Sequence, residues 1–327
     1  MRVVASTGKE DIAVVYILEL EGGRLVECVE SLQPPLPLEK KWVLLVSTLS
    51  GCPIGCRMCD AGSFYQGKLS KEEILSQIDF LICKRYPDRI VNSQQLKIQF
   101  ARMGEPSLNP SVLAVLDELP DRYTAQGMMP SISTVAPASS RAFFERVLEI
   151  KQKHYSGGRF QFQFSIHTTD PIMRDRIIPV KKWSLAEMAE YGNRFFMRGD
   201  RKITLNFAPD HGMAVEPDAL LKHFSPEKFL IKITPLNPTY RALENRLVSF
   251  IDPAQPHSGH EVVDALRAKG YETIVSIGEV EENFIGSNCG QYLRAHLAAR
   301  EPIKDAYTYS ITEHKTQPHP FLFDKQD

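Results

Sequence analysis

From Trp42 onward the chain alternates short β-rich segments with helical segments, and this alternation restricts the fold more than any other feature. Such a pattern predicts a parallel sheet, because each helix returns the chain to the starting edge of the sheet. Six or seven units in about 240 residues suit a partial (β/α)6-type TIM barrel. A doubly wound open sheet is the alternative α/β fold, but no glycine-rich phosphate-binding motif follows the first strand. The predicted strands are WVLLVST, LKIQFAR, SISTV, FQFQFSIH, KITLNFA, LIKITPL and YETIVSI.

The first 37 residues predict a small β-hairpin extension and a linker. Two β-rich runs, IAVVYILEL and GRLVECVESL, flank the glycine pair Gly22-Gly23, which suits a tight turn. The segment 33–37 has the sequence QPPLP, which neither continues a strand nor starts a helix smoothly. We therefore expect a hairpin and linker over residues 1–37, a barrel over residues 38–300 and a C-terminal tail over residues 301–327.

The composition is that of a folded protein with no strong overall charge. Hydrophobic residues make up 43% of the chain, and 39 Lys and Arg against 40 Asp and Glu give a net charge of −1. Any basic surface for nucleic acid must therefore be local. The longest uncharged apolar run, Ile12 to Leu18, is too short to cross a bilayer, and the N-terminus lacks the pattern of a signal peptide. We expect a cytoplasmic protein without membrane contact.

Three of the six cysteines lie within eight residues, at Cys52, Cys56 and Cys59. In a cytoplasmic chain, such clustering is typical of metal or cluster ligands rather than of disulfides. A structural zinc site normally uses four protein ligands, and this loop offers no fourth Cys or His. A four-iron cube bound by three cysteines keeps one iron open for an external ligand. The spacing therefore favours a [4Fe-4S] cluster over zinc or a disulfide.

A three-cysteine loop after a first barrel strand resembles that of the radical S-adenosylmethionine (SAM) superfamily. Further motifs resemble one branch, the methyltransferases acting on carbon 2 of adenine in ribosomal and transfer RNA, and their carbon-8 relative that confers antibiotic resistance. The resemblance extends from about Ile12 to about Leu293, with Met58 standing where an aromatic residue is usual. The motifs, in the family's order, are Met103-Gly104-Glu105-Pro106-Ser107-Leu108-Asn109, Ser133-Thr134, Ser165-Ile166-His167, Pro235-Leu236-Asn237-Pro238 and Asn288-Cys289-Gly290-Gln291.

The resemblance implies a partial barrel of the radical SAM kind and a role for each motif. The open iron of the cluster would bind the amino and carboxylate groups of SAM. Cys289, in a C-terminal methyl-carrier loop, would carry a methyl group to an sp² carbon of the acceptor. Glu27 matches a family glutamate proposed as the proton acceptor. The residues that would contact SAM lie at or just past the ends of predicted strands, and they are Gly104, Glu105, Ser133, Ser165, Ile166, His167 and Asn237.

Two features depart from the methyltransferase pattern. The family uses a second cysteine, seven residues before the first cluster cysteine, to release the covalent protein–substrate adduct, and this position is Leu45 here. Cys28 is an unassigned cysteine near the entrance, but it neighbours Glu27 on a predicted strand, where alternate residues face opposite sides. The family's helical N-terminal accessory domain is not recognisable in the residues that precede Trp42.

The leading hypothesis is a radical SAM methyltransferase with adenine in ribosomal or transfer RNA as the default acceptor. The alternatives are a divergent radical SAM enzyme with a non-RNA substrate and an RNA-binding iron–sulfur protein that has lost turnover. The resemblance also implies an electron donor such as flavodoxin or ferredoxin, and we expect a monomer. Two basic clusters could contact RNA phosphates, namely Arg174, Arg176, Lys181 and Lys182, and Arg194, Arg198, Arg201 and Lys202.

Overall fold

The computed structural model describes residues 1–252, 260–277, 280–287, 292–293, 303 and 306–314. Within these ranges, eleven strands form one mixed sheet and two short strands form a separate hairpin. The large sheet has a parallel half and an antiparallel half. No described backbone pairing joins its two outermost strands, so the sheet is an open, partial barrel, in agreement with the predicted α/β fold.

The antiparallel half is built mainly from the N-terminal segment. Three strands follow one another as neighbours, and a short C-terminal strand pairs with the first of them. Gly22 and Gly23, with φ of +79° and +76°, turn the chain between the second and third strands, which confirms the predicted hairpin. The first strand was not predicted, because polar residues interrupt its apolar pattern. These strands are β1 (Arg2–Lys9), β2 (Ala13–Glu19), β3 (Leu25–Ser31) and β13 (Thr312–Glu313).

The parallel half begins at the strand that pairs antiparallel with β3. Seven parallel strands lie side by side in sequence order, so their C-terminal ends share one edge of the sheet. The pairing with β3 makes residues 1–37 part of the barrel sheet, while the predicted division at residues 37 and 300 stays a prediction. The parallel strands are β4 (Trp42–Val46), β7 (Leu96–Phe100), β8 (Met128–Thr134), β9 (Gln161–Ser165), β10 (Ile203–Phe207), β11 (Phe229–Ile233) and β12 (Thr273–Val275), and the separate hairpin after β4 consists of β5 (Leu49–Gly51) and β6 (Tyr65–Lys68).

Helices connect the parallel strands and cover one face of the sheet. The first begins at a capping box, in which Ser70 Oγ accepts from Glu73 N (3.1 Å) and Glu73 Oε2 accepts from Ser70 N (2.8 Å). Cys83 of this helix is buried, as expected of a core residue. Among the described helices, none has the length and apolar content that a bilayer crossing requires. The helices are α1 (Lys71–Arg85), α2 (Ser111–Arg122), α3 (Arg141–His154), α4 (Pro171–Ile177), α5 (Leu185–Phe195), α6 (Pro217–Leu221), α7 (Tyr240–Glu244), α8 (His260–Ala268) and α9 (Val280–Ile285).

Alternate strand residues face either the helices or a polar interior. Residues towards the helices are buried and apolar, such as Phe164 of β9 and Ile231 of β11. On the opposite face, Gln99, Ser131 and Gln161 form one row across three neighbouring strands. A barrel interior that serves only as a core is filled with branched apolar side chains. The polar rows therefore suit a barrel that receives a ligand.

Candidate active site

The three-cysteine loop follows β5 at the C-terminal edge of the sheet. Gly51 has φ +75°, and a Cβ there would lie 1.9 Å from the carbonyl oxygen of Phe64, so only glycine fits. The same carbonyl accepts a hydrogen bond from Cys52 N (3.0 Å), and Cys59 N donates to Cys56 O (3.2 Å). The three thiols are half-buried, so the loop holds them at the surface of the core, where a ligand can reach them.

Burial and mutual repulsion oppose deprotonation of these thiols. Burial raises the pKa of Cys52 to about 12, and the negative charges of Cys59 and Glu105 add to the rise. The backbone amides of Ile54 and Glu105 partly offset it. Burial also raises the pKa of Cys56 well above the usual range of a thiol, followed by the charges of Cys59 and Cys52. A bound cationic group is therefore needed to hold all three as thiolates.

The donor set fits an iron–sulfur cluster. Within the ranges that the structure describes, no three Cys, His, Asp or Glu side chains converge as the ligands of a single metal ion would. A four-iron cluster does not need such convergence, because each of its cysteines binds a different iron atom. Apolar residues also shield the loop from water, which suits a redox centre. Those that pack beside Cys52 and Cys56 are Ile54, Val135, Ile177, Ile178 and Met213.

Gly104 and Glu105 lie beside the cysteine loop, just after β7. Gly104 has φ +100°, a conformation that favours glycine. The carboxylate of Glu105 is buried, and its Oε1 accepts from Ser107 N (3.1 Å), Ser107 Oγ (2.7 Å) and Thr134 Oγ1 (2.5 Å). Its Oε2 accepts from Val135 N (2.9 Å) and retains capacity for a cationic donor. Burial raises the pKa of Glu105, and these hydrogen bonds counter the rise.

Ser133 and Ser165 lie on the polar interior face, towards the ends of β8 and β9. Ser133 is the cross-strand neighbour of Gln163, and Ser165 that of Asn206 on β10. Asn206 is buried, and its Oδ1 has no hydrogen-bond partner. A buried acceptor without a protein donor indicates a place for a ligand or water. Asn206 was not predicted, although the alternation in KITLNFA assigns it to the polar face.

Ile166 and His167 follow β9 in a turn of unusual geometry. Both backbone N–H groups donate to the carbonyl oxygen of Asn206 (2.9 and 3.3 Å), and His167 has φ +68°. Few residues other than glycine adopt this left-handed conformation. Burial and the charge of Arg174 lower the pKa of His167 to about 4, so the ring is neutral at pH 7. Because Nδ1 accepts from Ala208 N (3.3 Å), the neutral ring carries its proton on Nε2, where it can donate to a ligand.

Asn237 lies half-buried in the connection between β11 and α7. Two residues further on, Thr239 Oγ1 donates to the carbonyl of Met58 (2.7 Å), and Tyr240 N donates to Asp60 Oδ2 (3.2 Å). These bonds fasten the connection to the cysteine loop. Every residue predicted to contact SAM therefore lies at one edge of the sheet, and the individual contacts stay predictions.

Glu27 of β3 is fully buried and paired with Arg102. Its Oε2 accepts from Arg102 Nε (2.8 Å) and Nη2 (2.5 Å), and its Oε1 accepts from Leu293 N. Arg102 also donates to the carbonyls of Gly286 (3.0 Å) and Ser287 (3.1 Å). Burial raises the pKa of Glu27, and the Arg102 charge opposes the rise. The pair therefore joins β3 to the chain on both sides of residues 288–291.

Cys289, the predicted methyl carrier, lies outside the described residues. Leu45, at the position of the release cysteine, packs beside Val29 and Ile285 in a small apolar cluster. Cys28 is buried in the main core, and the β2–β3 pairing around it is regular, without a bulge. Burial raises its pKa well above the usual range of a thiol. Neither position 45 nor position 28 therefore supplies an accessible thiol for the release step.

The basic clusters considered for RNA are largely bonded within the protein. Arg174 is buried and donates to backbone carbonyls, and Lys182 pairs with Asp175 (2.5 Å). Arg176 and Lys181 are exposed, so they remain the candidates for phosphate contact in the first cluster. In the second cluster, Arg194 bonds to Glu145, Arg201 to Gly158 and Lys202 to Glu272.

A solved structure shares this architecture. A radical SAM methyltransferase from Sphaerobacter thermophilus superposes with a TM-score of 0.67 at 18% sequence identity, over 89% of this chain and 80% of that chain. This similarity shows that the chain has the same fold as that protein. No family model matches the chain.

Several curated proteins with similar sequences share one name. The probable dual-specificity RNA methyltransferase RlmN of Trichormus variabilis is 26% identical over 295 residues, covering 85% of this chain and 74% of that protein. In sequence, the chain is similar to RlmN-like RNA methyltransferases. A protein of the same name from Acaryochloris marina is 23% identical over 282 residues, covering 83% of this chain and 74% of that protein. Another, from Desulfitobacterium hafniense strain Y51, is 26% identical over 308 residues, covering 90% of this chain and 79% of that protein. This similarity implies a [4Fe-4S] cluster and SAM as cofactors, in agreement with the cysteine spacing.

Proposed function

We propose that this RlmN-like chain methylates an sp² carbon of adenine in ribosomal or transfer RNA by radical SAM chemistry. The observation that carries the proposal is the gathering of the cysteine loop, Glu105 and the polar strand ends at one edge of a polar-lined barrel. Three similar proteins named as dual-specificity RNA methyltransferases support RNA as the substrate class. A polar interior also suits a heterocyclic base, whose ring edges need hydrogen-bond partners.

The chain's own residues would hold and orient the cofactors. Cys52, Cys56 and Cys59 would bind the cluster, which supplies the electron that breaks a carbon–sulfur bond of SAM when it is bound. Glu105 would accept a hydrogen bond from the ammonium group of SAM at Oε2, where an ionised carboxylate binds a cation most strongly. His167, neutral at pH 7, would donate from Nε2 to an acceptor atom of the cofactor.

Cys289 and Glu27 would complete the transfer. Cys289 would carry the methyl group on sulfur, and Glu27 would take up the proton that the ring carbon releases. The burial that raises the pKa of Glu27 makes it a stronger base than an exposed carboxylate. Arg102 would keep this carboxylate in place against the segment that flanks Cys289.

The proposed substrate and chemistry also suggest the setting of the enzyme. Ribosomal and transfer RNA are cytoplasmic, and reduced cluster thiols persist in that compartment. A small redox protein such as flavodoxin or ferredoxin would supply the electrons. We propose that the enzyme works there as a monomer.

The experiment is an anaerobic incubation of cluster-loaded protein with SAM, a reductant and total RNA. Formation of 5′-deoxyadenosine together with methylated adenosine, quantified by mass spectrometry of digested RNA, would support the proposal. Cys52→Ala should abolish both products, while Cys83→Ala, a buried cysteine outside the loop, should retain them. Formation of 5′-deoxyadenosine without any RNA methylation would exclude RNA as the substrate. A loaded protein that forms neither product would contradict the reaction itself.

A further inference from the structure

The cysteine loop is held from outside by residues 239–247, which we name the clasp segment. Thr239 Oγ1 donates to the carbonyl of Met58 (2.7 Å), and Asn245 Nδ2 donates to the carbonyl of Arg57 (3.1 Å). Arg57 returns a hydrogen bond from Nη1 to Asn245 Oδ1 (3.4 Å). The clasp segment thus supplies side-chain partners to two consecutive peptide groups between the second and third cysteines.

The acidic residue after the third cysteine strengthens the same contact. Asp60 is fully buried, and its carboxylate accepts from Tyr240 N (3.2 Å) and Arg241 N (2.9 Å) at the start of α7. A carboxylate that satisfies free N–H groups at a helix start is stabilised there. The cysteine loop and the clasp segment therefore form one bonded unit.

Arg241 lies at the centre of this unit. Its Nη1 donates to the carbonyl of Gly62 and its Nη2 to the carbonyl of Gly55, both at 3.2 Å. Gly55 and Gly62 are in close contact, since a Cβ on Gly62 would lie 2.8 Å from the Cα of Gly55. One planar guanidinium thus bridges the segment between the first two cysteines and the segment after the third cysteine, where the two meet. Within the described ranges, no carboxylate forms an ion pair with Arg241, and its Nε is buried without a partner.

The guanidinium of Arg241 is a fixed positive charge at the cysteine loop, and Asp60 contacts its backbone N–H rather than its guanidinium. A cluster becomes more negative on reduction, and a fixed positive charge nearby stabilises that more negative state. Net charge near the cluster is one of the factors that set its potential. We propose that Arg241 is a positioning residue that raises the reduction potential of the cluster and keeps the cysteine loop closed around it. The inference rests on the proposed function, because it requires a cluster on Cys52, Cys56 and Cys59.

Two variants separate the charge of Arg241 from its shape. Arg241→Lys keeps the positive charge but loses the planar fork that bridges two carbonyls. Arg241→Gln loses the charge and keeps one polar end. Arg246→Gln is the matched control, because Arg246 is an exposed arginine on the same segment. Thermal unfolding of each apoprotein shows whether the variant is folded.

The first readout is the midpoint potential of the reconstituted cluster, measured by anaerobic titration with electron paramagnetic resonance detection. Arg241→Gln should shift the potential to a more negative value, whereas Arg241→Lys and Arg246→Gln should match the parent. An unchanged potential in Arg241→Gln, or equal shifts in the Lys and Gln variants, would overturn the assigned electrostatic role. If the substitutions acted only by loosening the loop, the midpoint potential would shift equally in Arg241→Lys and Arg241→Gln.

The second readout needs no cluster. In the apoprotein, peptide mass spectrometry measures the rate at which the three loop cysteines are alkylated. The control variant Arg246→Gln is measured in parallel. Both Arg241 variants should react about tenfold faster than the parent, the factor that corresponds to about 1.4 kcal/mol. Equal rates in all proteins would overturn the loop-closing role. If the parent fails to assemble a cluster, the proposed function and the electrostatic role both fall, whereas an intact cluster with unchanged potential removes only the latter.

Discussion

Glu27 is a fully buried carboxylate whose stability contribution depends on its ion pair. Two nitrogens of Arg102, Nε and Nη2, donate to Oε2 of Glu27, and both side chains are shielded from water. Removing one partner leaves the other charge buried without compensation, which typically costs about 3–5 kcal/mol. We therefore expect Glu27→Gln and Arg102→Met each to lower the free energy of unfolding by about that amount, as measured by urea denaturation of the apoprotein.

The double variant is the control for this pairing. Removing both charges together should cost less than the sum of the single variants, because no unpaired charge remains buried. Single-variant losses below about 1 kcal/mol, or strictly additive losses, would contradict a tight buried pair.

His167 should stay neutral across the physiological range. Burial and the Arg174 charge lower its pKa to about 4, against an ordinary value of 6.5. The unfolded chain then binds more protons than the folded protein between these values, so stability falls as the pH falls from about 6.5 to about 4. An NMR titration of protein with isotope-labelled histidine should give a midpoint near 4 for the His167 ring. A midpoint near 6.5 would refute the assigned environment.

The variant His167→Asn tests the lowered pKa of His167 through the pH dependence of stability. Asparagine tolerates the left-handed conformation that His167 adopts, with φ +68°, so it removes the titrating ring with little added strain. His167→Asn should lose part of the pH dependence of the melting temperature between pH 6.5 and 4. A pH dependence in His167→Asn equal to that of the parent would contradict the assigned environment.

Predictability from sequence differed among these residues for physical reasons. Glu27 and His167 were recognised through their motifs, which are local. Arg102 was missed because its partner lies 75 positions away, and only the pairing of β3 with the parallel strands brings the two together. Asn206 carried a local signal, since strand alternation assigns it to the polar face, but its unpaired Oδ1 depends on the packed interior.

At the scale of elements, the loop after β7 depends on one glycine. Gly104 combines φ +100° with a position at which a Cβ would lie 2.5 Å from Leu49 Cγ and 2.9 Å from Leu49 N. Gly104→Ala must therefore displace the loop that carries Glu105. We expect SAM affinity, measured by anaerobic equilibrium dialysis, to weaken at least about tenfold.

Gly67 provides the matched control for this substitution. It also has a positive φ, +118°, but no atom lies within 4 Å of the position of its Cβ. Gly67→Ala therefore incurs backbone strain without a steric clash, and SAM affinity should stay close to that of the parent. Equal affinities for the Gly104→Ala and Gly67→Ala variants would contradict the steric account of the loop.

Most elements were predictable because their signals are local. The apolar run WVLLV and the alternating run FQFQFS became β4 and β9, and the helix predicted between them begins at a complete capping box. Strand β1 was missed because it is stabilised by pairing with β2 and β13 rather than by its own pattern. The clasp segment carried no signal either, since its role consists of contacts to a loop about 180 residues earlier.

At the scale of the whole molecule, RNA binding must depend on a local surface, because the net charge is −1. Arg176 and Lys181 are the exposed members of the basic cluster after β9. Replacing both by alanine should weaken RNA binding and reduce the slope of log K against log salt by roughly 1.4, two contacts at roughly 0.7 each. Lys222→Ala, at the end of α6, should change neither value, and an unchanged slope in the double variant would exclude this surface.

The resemblance to the methyltransferases predicts a release cysteine at position 45, and this chain has leucine there. Leu45 occupies the position of the release cysteine and packs with Val29 and Ile285, and Cys28 is sealed in the core. The absence of a thiol at position 45 was visible in the sequence, while the burial of Cys28 required the packed sheet. A methyl relay through Cys289 must therefore end by a route that uses neither position.

The measurement that tests the central claim most directly is the mass of the Cys289 peptide. The protein is purified anaerobically with its cluster intact, digested, and compared with protein carrying Cys52→Ala. If the protein is a methyl-relay enzyme, the Cys289 peptide of the parent carries one added methyl group and the peptide of the Cys52→Ala variant carries none. An unmodified Cys289 that persists after incubation with SAM and reductant would contradict the relay.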